Sequence, residues 1–219
     1  MTQTSATELA SLLCSRLCHD MLSPVGALSN GLELLAAETD PEMRQRCLEL
    51  MEQSSRTSTN KLKFFRLAFG AAGGFGDVVP VEETKAVIDA LASDAKGVTV
   101  NWAIEGANLP KPATKVLLNL AQIALDALIR GGRLDVGAEL RDGSAEIVVR
   151  AQGDRIAFDE VIGHALEGNM PASDLSSRTA AAHMIATLAE EVGGGLQFKR
   201  SDDALVLGAV LPLPAGMIG

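Results

Sequence analysis

The chain has 219 residues, 47% of them hydrophobic and 21% charged, with a net charge of -9. That length makes one large domain or two small ones, and the apolar share excludes wholesale disorder. The acidic balance argues against a general nucleic-acid binder, which needs a basic footprint against phosphates.

Residues 1–70 read as a helical hairpin. Met21, Val25, Leu28, Leu32 and Leu35 recur at spacings of four and three, and Ala10, Cys14 and Leu17 extend the stripe backwards. This is an apolar helix face sustained over about 25 residues. Thr39-Asp40-Pro41-Glu42 predicts the start of a second helix, with an N-cap, a proline in the first turn and an early acid. That helix carries Leu48, Met51, Ser55, Ser58, Leu62, Phe65 and Phe69 on one face, and Gly70 follows as its C-terminal cap. One hairpin cannot cover both stripes. Two hairpins paired about a two-fold axis can, so a homodimer built on a four-helix bundle is expected. A mean hydropathy of +0.19 points the same way. The Gly-rich stretch Ala71–Asp77 is a breaker. The boundary falls there, with a helical domain over 1–72 and a second domain over 76–219. Almost all of the acidic excess lies in the second.

The second part alternates. Val98–Ala103 reads as a strand and Ala113–Arg130 as an apolar helix ended by Gly131-Gly132. Leu134–Leu140 and Glu146–Arg150 form a hairpin around Arg141-Asp142-Gly143. Phe158–Leu166 and Leu175–Val192 read as helices, the latter capped by Gly193–Gly195. Leu196–Lys199 and Ala204–Leu211 close the chain as a hairpin around Ser201-Asp202-Asp203. Helices covering one face of a mixed sheet give a two-layer α/β sandwich, so the whole chain is of the α+β class. No run of about 18 apolar residues is free of charge or amide, so no membrane span is expected. Three cysteines without a signal peptide read as reduced thiols of a cytoplasmic protein.

The segment Cys18-His19-Asp20-Met21-Leu22-Ser23-Pro24 carries the chemistry. At about 100° per residue, His19 points about 200° from Leu17 and from Met21, so it faces solvent opposite the stripe. Its neighbours Ser15, Arg16 and Ser23 are small or polar. Asp20 can accept a hydrogen bond from the imidazole, selecting one tautomer and leaving the other nitrogen nucleophilic. Counting equal steps from a turn near Asp40, Arg16, Arg56, Lys61 and Lys63 are expected to flank the site as cations for an incoming partner. Cys14 and Cys18 lie beside His19, but His19 points away from Cys14. They read as buried small residues, and no metal site is expected. His164 and His183 read as fillers of Ala-rich helices. On position alone, His19 reads first as a solvated surface histidine beside an acid.

The pattern H-D-x-x-S-P resembles the H-box of two-component histidine kinases. The resemblance makes His19 the phosphoacceptor, Asp20 the acid that assists transfer, Ser23 the polar residue linked to dephosphorylation, and Pro24 the residue that bends the helix. The second part resembles the ATP-binding (Bergerat) domain of those kinases in degenerate form. Asn119-Leu120 matches the start of the N-box, but its second asparagine falls on Ile123. The D-x-G of the next box reads Ala151-Gln152-Gly153. The phosphate loop reads Asp174-Leu175-Ser176-Ser177-Arg178, with no glycine to wrap phosphates. The segments RLCHDMLSP and Phe64–Ala71 (FFRLAFGA) are similar to the signatures of ChpT-type histidine phosphotransferases. That resemblance implies a relay without a cofactor of its own, the Mg²⁺ being supplied by a partner receiver domain. Phosphate would arrive from the receiver of a CckA-like hybrid kinase and leave to CtrA-like and CpdR-like response regulators, with no nucleic-acid or membrane partner. A rival reading is a pseudokinase-like binding module that inhibits or scaffolds a sensor kinase without passing phosphate.

Overall fold

The hairpin forms where its spacing and caps place it. In the computed structural model, which describes residues 5–70, 76–95 and 97–213, α1 spans Ala6–Ala37 and α2 spans Pro41–Phe69. Ser5 caps α1 by accepting from the Glu8 N–H, and Asp40 caps α2 by accepting from the Met43 N–H at 2.9 Å. Gly70 closes α2 by donating to the Arg66 carbonyl, with an extended backbone rather than a left-handed one. The two helices approach closely at Gly31, where a Cβ would stand 2.5 Å from Met51 Cγ. Each stripe is only half used within the chain. Val25, Leu32, Leu48 and Leu62 remain 47–58% exposed.

Ala71–Phe75 of the glycine-rich breaker lie outside the described residues. Beyond them, β1 (Val78–Pro80) pairs antiparallel with β3 (Asn108–Pro110). Between these lies α3 (Val81–Asp94), then β2 (Val98–Ile104). The sequence reading passed over α3, although Thr84, Val87, Ile88 and Ala92 line its buried face. Then follow α4 (Lys111–Ala127), β4 (Gly132–Arg141), β5 (Ser144–Gln152), α5 (Glu160–Leu166), α6 (Ala180–Glu191), β6 (Gly195–Arg200) and β7 (Ala204–Pro212). The five-stranded sheet runs β2-β4-β5-β7-β6, antiparallel except for the parallel pair β2-β4. The β4–β5 turn places Asp142 and Gly143 at φ of 49° and 77°, as a two-residue hairpin turn requires.

Alternate sheet residues face the helices. Leu134, Val136, Ile147, Val149, Leu205 and Leu207 are 0–1% exposed and pack in one cluster with Leu117, Leu118 and Leu120 of α4 and Ile185 of α6. This is the expected two-layer sandwich. The same cluster takes in Phe64, Phe65, Leu67 and Ala68 from the end of α2. The root of the hairpin is therefore built into the core of the second part rather than tethered to it. Among the described residues, no helix is long and apolar enough to cross a membrane.

Several helix bounds differ from expectation, three of them for a visible reason. α6 starts at Ala180, not Leu175. Thr179 Oγ1 accepts from the Ser176 N–H and donates to the Asp174 carbonyl, each at 2.9 Å, holding Asp174–Thr179 as a turn. Such side-chain bonds compete with helix formation. α4 ends at Ala127, because Gly131 and Gly132 take positive φ and the chain turns before them. α5 starts at Glu160, capped by Asp159, which accepts from the Val161 N–H.

The core sets the stability. Leu118 is fully buried in α4, so Leu118→Ala should cost about 2–5 kcal/mol in urea unfolding. Val148 on the open face of the sheet is 51% exposed, and Val148→Ala should stay within about 0.5 kcal/mol.

Candidate functional site

His19 projects from the middle of α1 with 86% of its side chain exposed. Its Nδ1 lies 3.3 Å from Asp20 Oδ1. With the Nδ1–H directed at that carboxylate, Nε2 keeps its lone pair and faces solvent. Ser23 stands exposed one turn further along.

The proline of the motif has a structural consequence of its own. Pro24 is buried within α1 and has no N–H, so the carbonyl of Asp20, four residues back, has no helical donor. Lys61 of α2 fills the gap, donating from Nζ to the Asp20 carbonyl at 3.0 Å. The backbone beneath His19 is thus held by the neighbouring helix.

The expected ring of cations is arranged differently. Arg16 does not stand free beside the imidazole. Its side chain is only 17% exposed and turns toward the second part of the chain. Arg16 Nε lies 3.7 Å from Asp20 Oδ2, Nη2 lies 3.9 Å from Asp126 Oδ2 on α4, and Nη1 donates to the Arg178 carbonyl at 3.5 Å. On α2, buried Ser58 marks the side turned to α1. At about 100° per residue, Arg56 and Lys63 point about 160° and 140° away from Ser58. Both are exposed, Arg56 is paired with Glu52 at 3.0 Å, and neither flanks His19 of its own chain. Cys14 and Cys18, expected buried, are exposed in the chain, whereas Cys47 is buried.

Below His19 opens a cleft of about 930 Å³ between α1 and the second part. Arg16, Asp20 and Asp126 line it, with Ile123 and Phe158 among its apolar walls and Arg155, Arg178 and Arg200 among its cations. Arg178 pairs with Asp159 at 3.0 Å across the mouth of α5. Arg200 donates to the Phe158 carbonyl. Ile123 of α4 lines the cleft, and Ala151 is fully buried in β5. Neither offers a polar atom to a metal or an adenine.

Asp126 falls inside the apolar helix predicted over Ala113–Arg130, where nothing local marks it. It is the acid of α4 that meets α1. The surrounding protein removes water from its carboxyl and pushes its pKa above the usual carboxylate range. Arg16, the hydrogen bond from Gln122 at 2.8 Å and Lys61 pull it back, while Asp20 adds to the rise. Its side chain still keeps 60% of its surface exposed, so solvent screening keeps the effect small.

Comparison with known proteins agrees over nearly the whole chain. The family model for the histidine phosphotransferase C-terminal domain matches residues 81–204. The protein phosphotransferase ChpT of Brucella abortus (strain 2308) is 33% identical over 210 residues, covering 94% of this chain and 96% of that protein. A solved bacterial phosphotransferase is 30% identical and superposes with a TM-score of 0.83 over 95% of this chain and 98% of its own. The histidine kinase domain of the blue-light activated kinase of Erythrobacter litoralis shares the fold at 13% identity and a TM-score of 0.50, over 86% of this chain and 96% of its own.

A carboxyl whose pKa is raised by folding binds its proton more tightly in the folded state than in the unfolded one. Its charged form therefore costs stability near neutrality, and the cost disappears as pH falls through the folded-state pKa. Asp126→Asn should raise Tm by about a degree or two near pH 7, and the difference should vanish near pH 4. Thermal unfolding of both proteins across that range checks the sign. An Asn variant that gains on the wild type as pH falls would contradict the assignment.

Proposed function

The chain belongs to the ChpT-type histidine phosphotransferase family, and from that premise we propose that His19 is the residue that carries the phosphoryl group. The observation that carries this reading is an 86% exposed imidazole whose Nδ1 faces the Asp20 carboxylate. The donor is the aspartyl phosphate of a receiver domain in a hybrid, CckA-like kinase. His19 Nε2 attacks the phosphorus in line, the N–P bond forms, and the P–O bond to the receiver aspartate breaks. The electron pair leaves with the aspartate, and the Nδ1 proton stays shared with Asp20. Onward transfer to CtrA-like and CpdR-like receivers is the same step reversed. Phosphoryl transfer depends chiefly on positioning and charge neutralisation. The receiver's Mg²⁺ supplies much of the latter, so the chain needs no metal of its own for the step. Ser23 lies within one turn of the phosphorylated ring and is placed to orient a water for dephosphorylation.

The receiver docks on the exposed side of the hairpin, where His19 and Ser23 continue into Leu34 of α1 and Leu50 of α2, both more than 60% exposed. Two chains associate through the other side. Val25, Leu32, Leu48 and Leu62 leave there an apolar strip that water disfavours at about 25 cal/mol per Å². The second domain does not load ATP, because the places of the Mg²⁺ and adenine ligands hold Ile123 and Ala151 and the phosphate loop holds no glycine.

His19→Gln keeps the reach of the side chain but has no nucleophilic ring nitrogen. It should abolish acid-labile labelling from a phosphorylated receiver while leaving the circular dichroism spectrum unchanged. Labelling at the wild-type rate would remove His19 from the role. Light scattering over a dilution series should give twice 22.9 kDa for the wild type. Leu32→Glu or Leu62→Glu should give monomer or aggregate. Calorimetry with millimolar ATP and Mg²⁺ should show no saturable heat.

A further inference from the structure

The second domain keeps more than a hundred residues of kinase scaffold, and its contact with the first at the phosphoacceptor is ionic. Asp126 of α4 meets Arg16 of α1, Arg16 meets Asp20, and Asp20 meets His19 Nδ1, at 3.9, 3.7 and 3.3 Å. Gln122, one turn back on α4, fixes the other oxygen of Asp126 at 2.8 Å. Arg16 is largely buried and is anchored from a third side by the Arg178 carbonyl. These residues separate two cavities. Arg16, Asp20 and Asp126 line both the 930 Å³ cleft under His19 and a smaller one of about 290 Å³ beside Lys61 and Phe65.

We propose that Asp126 is a positioning residue for the phosphoacceptor, acting through Arg16 on Asp20 and hence on the tautomer of His19. The proposal rests on the reading of His19 given above and adds to it a role for the second domain that requires no nucleotide. One guanidinium is divided between two carboxylates. While Asp126 holds part of its charge, Asp20 keeps enough negative charge to accept the Nδ1–H and leave Nε2 free. When Asp126 loses its charge, Arg16 is committed to Asp20, and the Nδ1–H loses its acceptor. When Arg16 is removed, Asp20 is uncompensated and Asp126 has no route to the imidazole.

The test is a double-mutant cycle on the full chain, read by the ¹⁵N resonances of the histidines at a pH of about 8, where imidazoles are neutral. His164 and His183 serve as internal references. Asp126→Asn should lower the ratio of Nδ1–H to Nε2–H tautomer at His19 by about threefold, the size of a screened charge interaction, and leave the references unmoved. Arg16→Gln should shift the ratio the opposite way, and adding Asp126→Asn to it should change nothing further. Asp126→Glu should restore the wild-type ratio, which decides the matter even where Arg16→Gln weakens folding. The rate of His19 phosphorylation by potassium phosphoramidate, a donor that needs no receiver, should follow the ratio in Asp126→Asn. No change in Asp126→Asn, an equal change in the Arg16→Gln background, or a shift of all three histidines would each overturn the proposal. Failure of the relay reading shows elsewhere. In that case the wild type takes no phosphate from a receiver charged with acetyl phosphate, whatever the tautomer ratio does.

Discussion

A missing hydrogen fixes the geometry of the site. Pro24 cannot donate to the Asp20 carbonyl, and a buried carbonyl without a partner costs about 1–3 kcal/mol. Lys61 from the second helix satisfies it at 3.0 Å. That one bond sets α2 against α1 at the level of His19, a register that the close approach of Gly31 to Met51 maintains further up the hairpin. With the backbone held from inside, the imidazole is left outside. The residues that face inward at this level, Arg16 and Asp20, are then presented to whatever packs beneath the hairpin.

What packs beneath is α4, with α6 beside it. The end of α2 brings Phe64, Phe65 and Phe69 together, with ring centroids 5.4–5.9 Å apart. Phe64 and Phe65 sink into the same cluster as α4 and the sheet. Aromatic packing of this kind adds to plain area burial and fixes orientation. It explains why Asp126 arrives next to Arg16 rather than somewhere near it. The second domain is therefore part of the surroundings of His19 by construction. Ile123 and Ala151, apolar and buried, belong to this packing.

The same physics separates the two sides of the hairpin. On one side, Arg16, Asp20 and Lys61 are ionic and covered by the second domain. On another, Val25, Leu32, Leu48 and Leu62 are apolar and about half exposed among the described residues. Burying one without exposing the other is possible only because α1 is long. Its 32 residues give room for both faces.

The sequence by itself determined the helical hairpin and most strands of the sandwich, and it placed His19, Asp20 and Ser23 together on the first helix with His19 facing solvent. Each rests on local chemistry. A 3.6-residue period, an Asp-Pro cap, an Asp-Gly turn and an H-D-x-x-S-P motif are all written within a few neighbouring residues. The start of α6 was misplaced because one hydroxyl, that of Thr179, outweighs the helical preference of the segment before it. Only the tertiary structure decided which cations belong to the site. Counting steps along two helices brings Arg16, Arg56, Lys61 and Lys63 level with His19, but level is not adjacent. The direction of each side chain depends on which face of α2 meets α1 and on where α4 docks. Arg16 turned inward because Asp126 and the Arg178 carbonyl, 110 or more residues further along the chain, offered it charge and a hydrogen bond. No local pattern carries that information, because the pairing energy exists only after the two parts of the chain have packed.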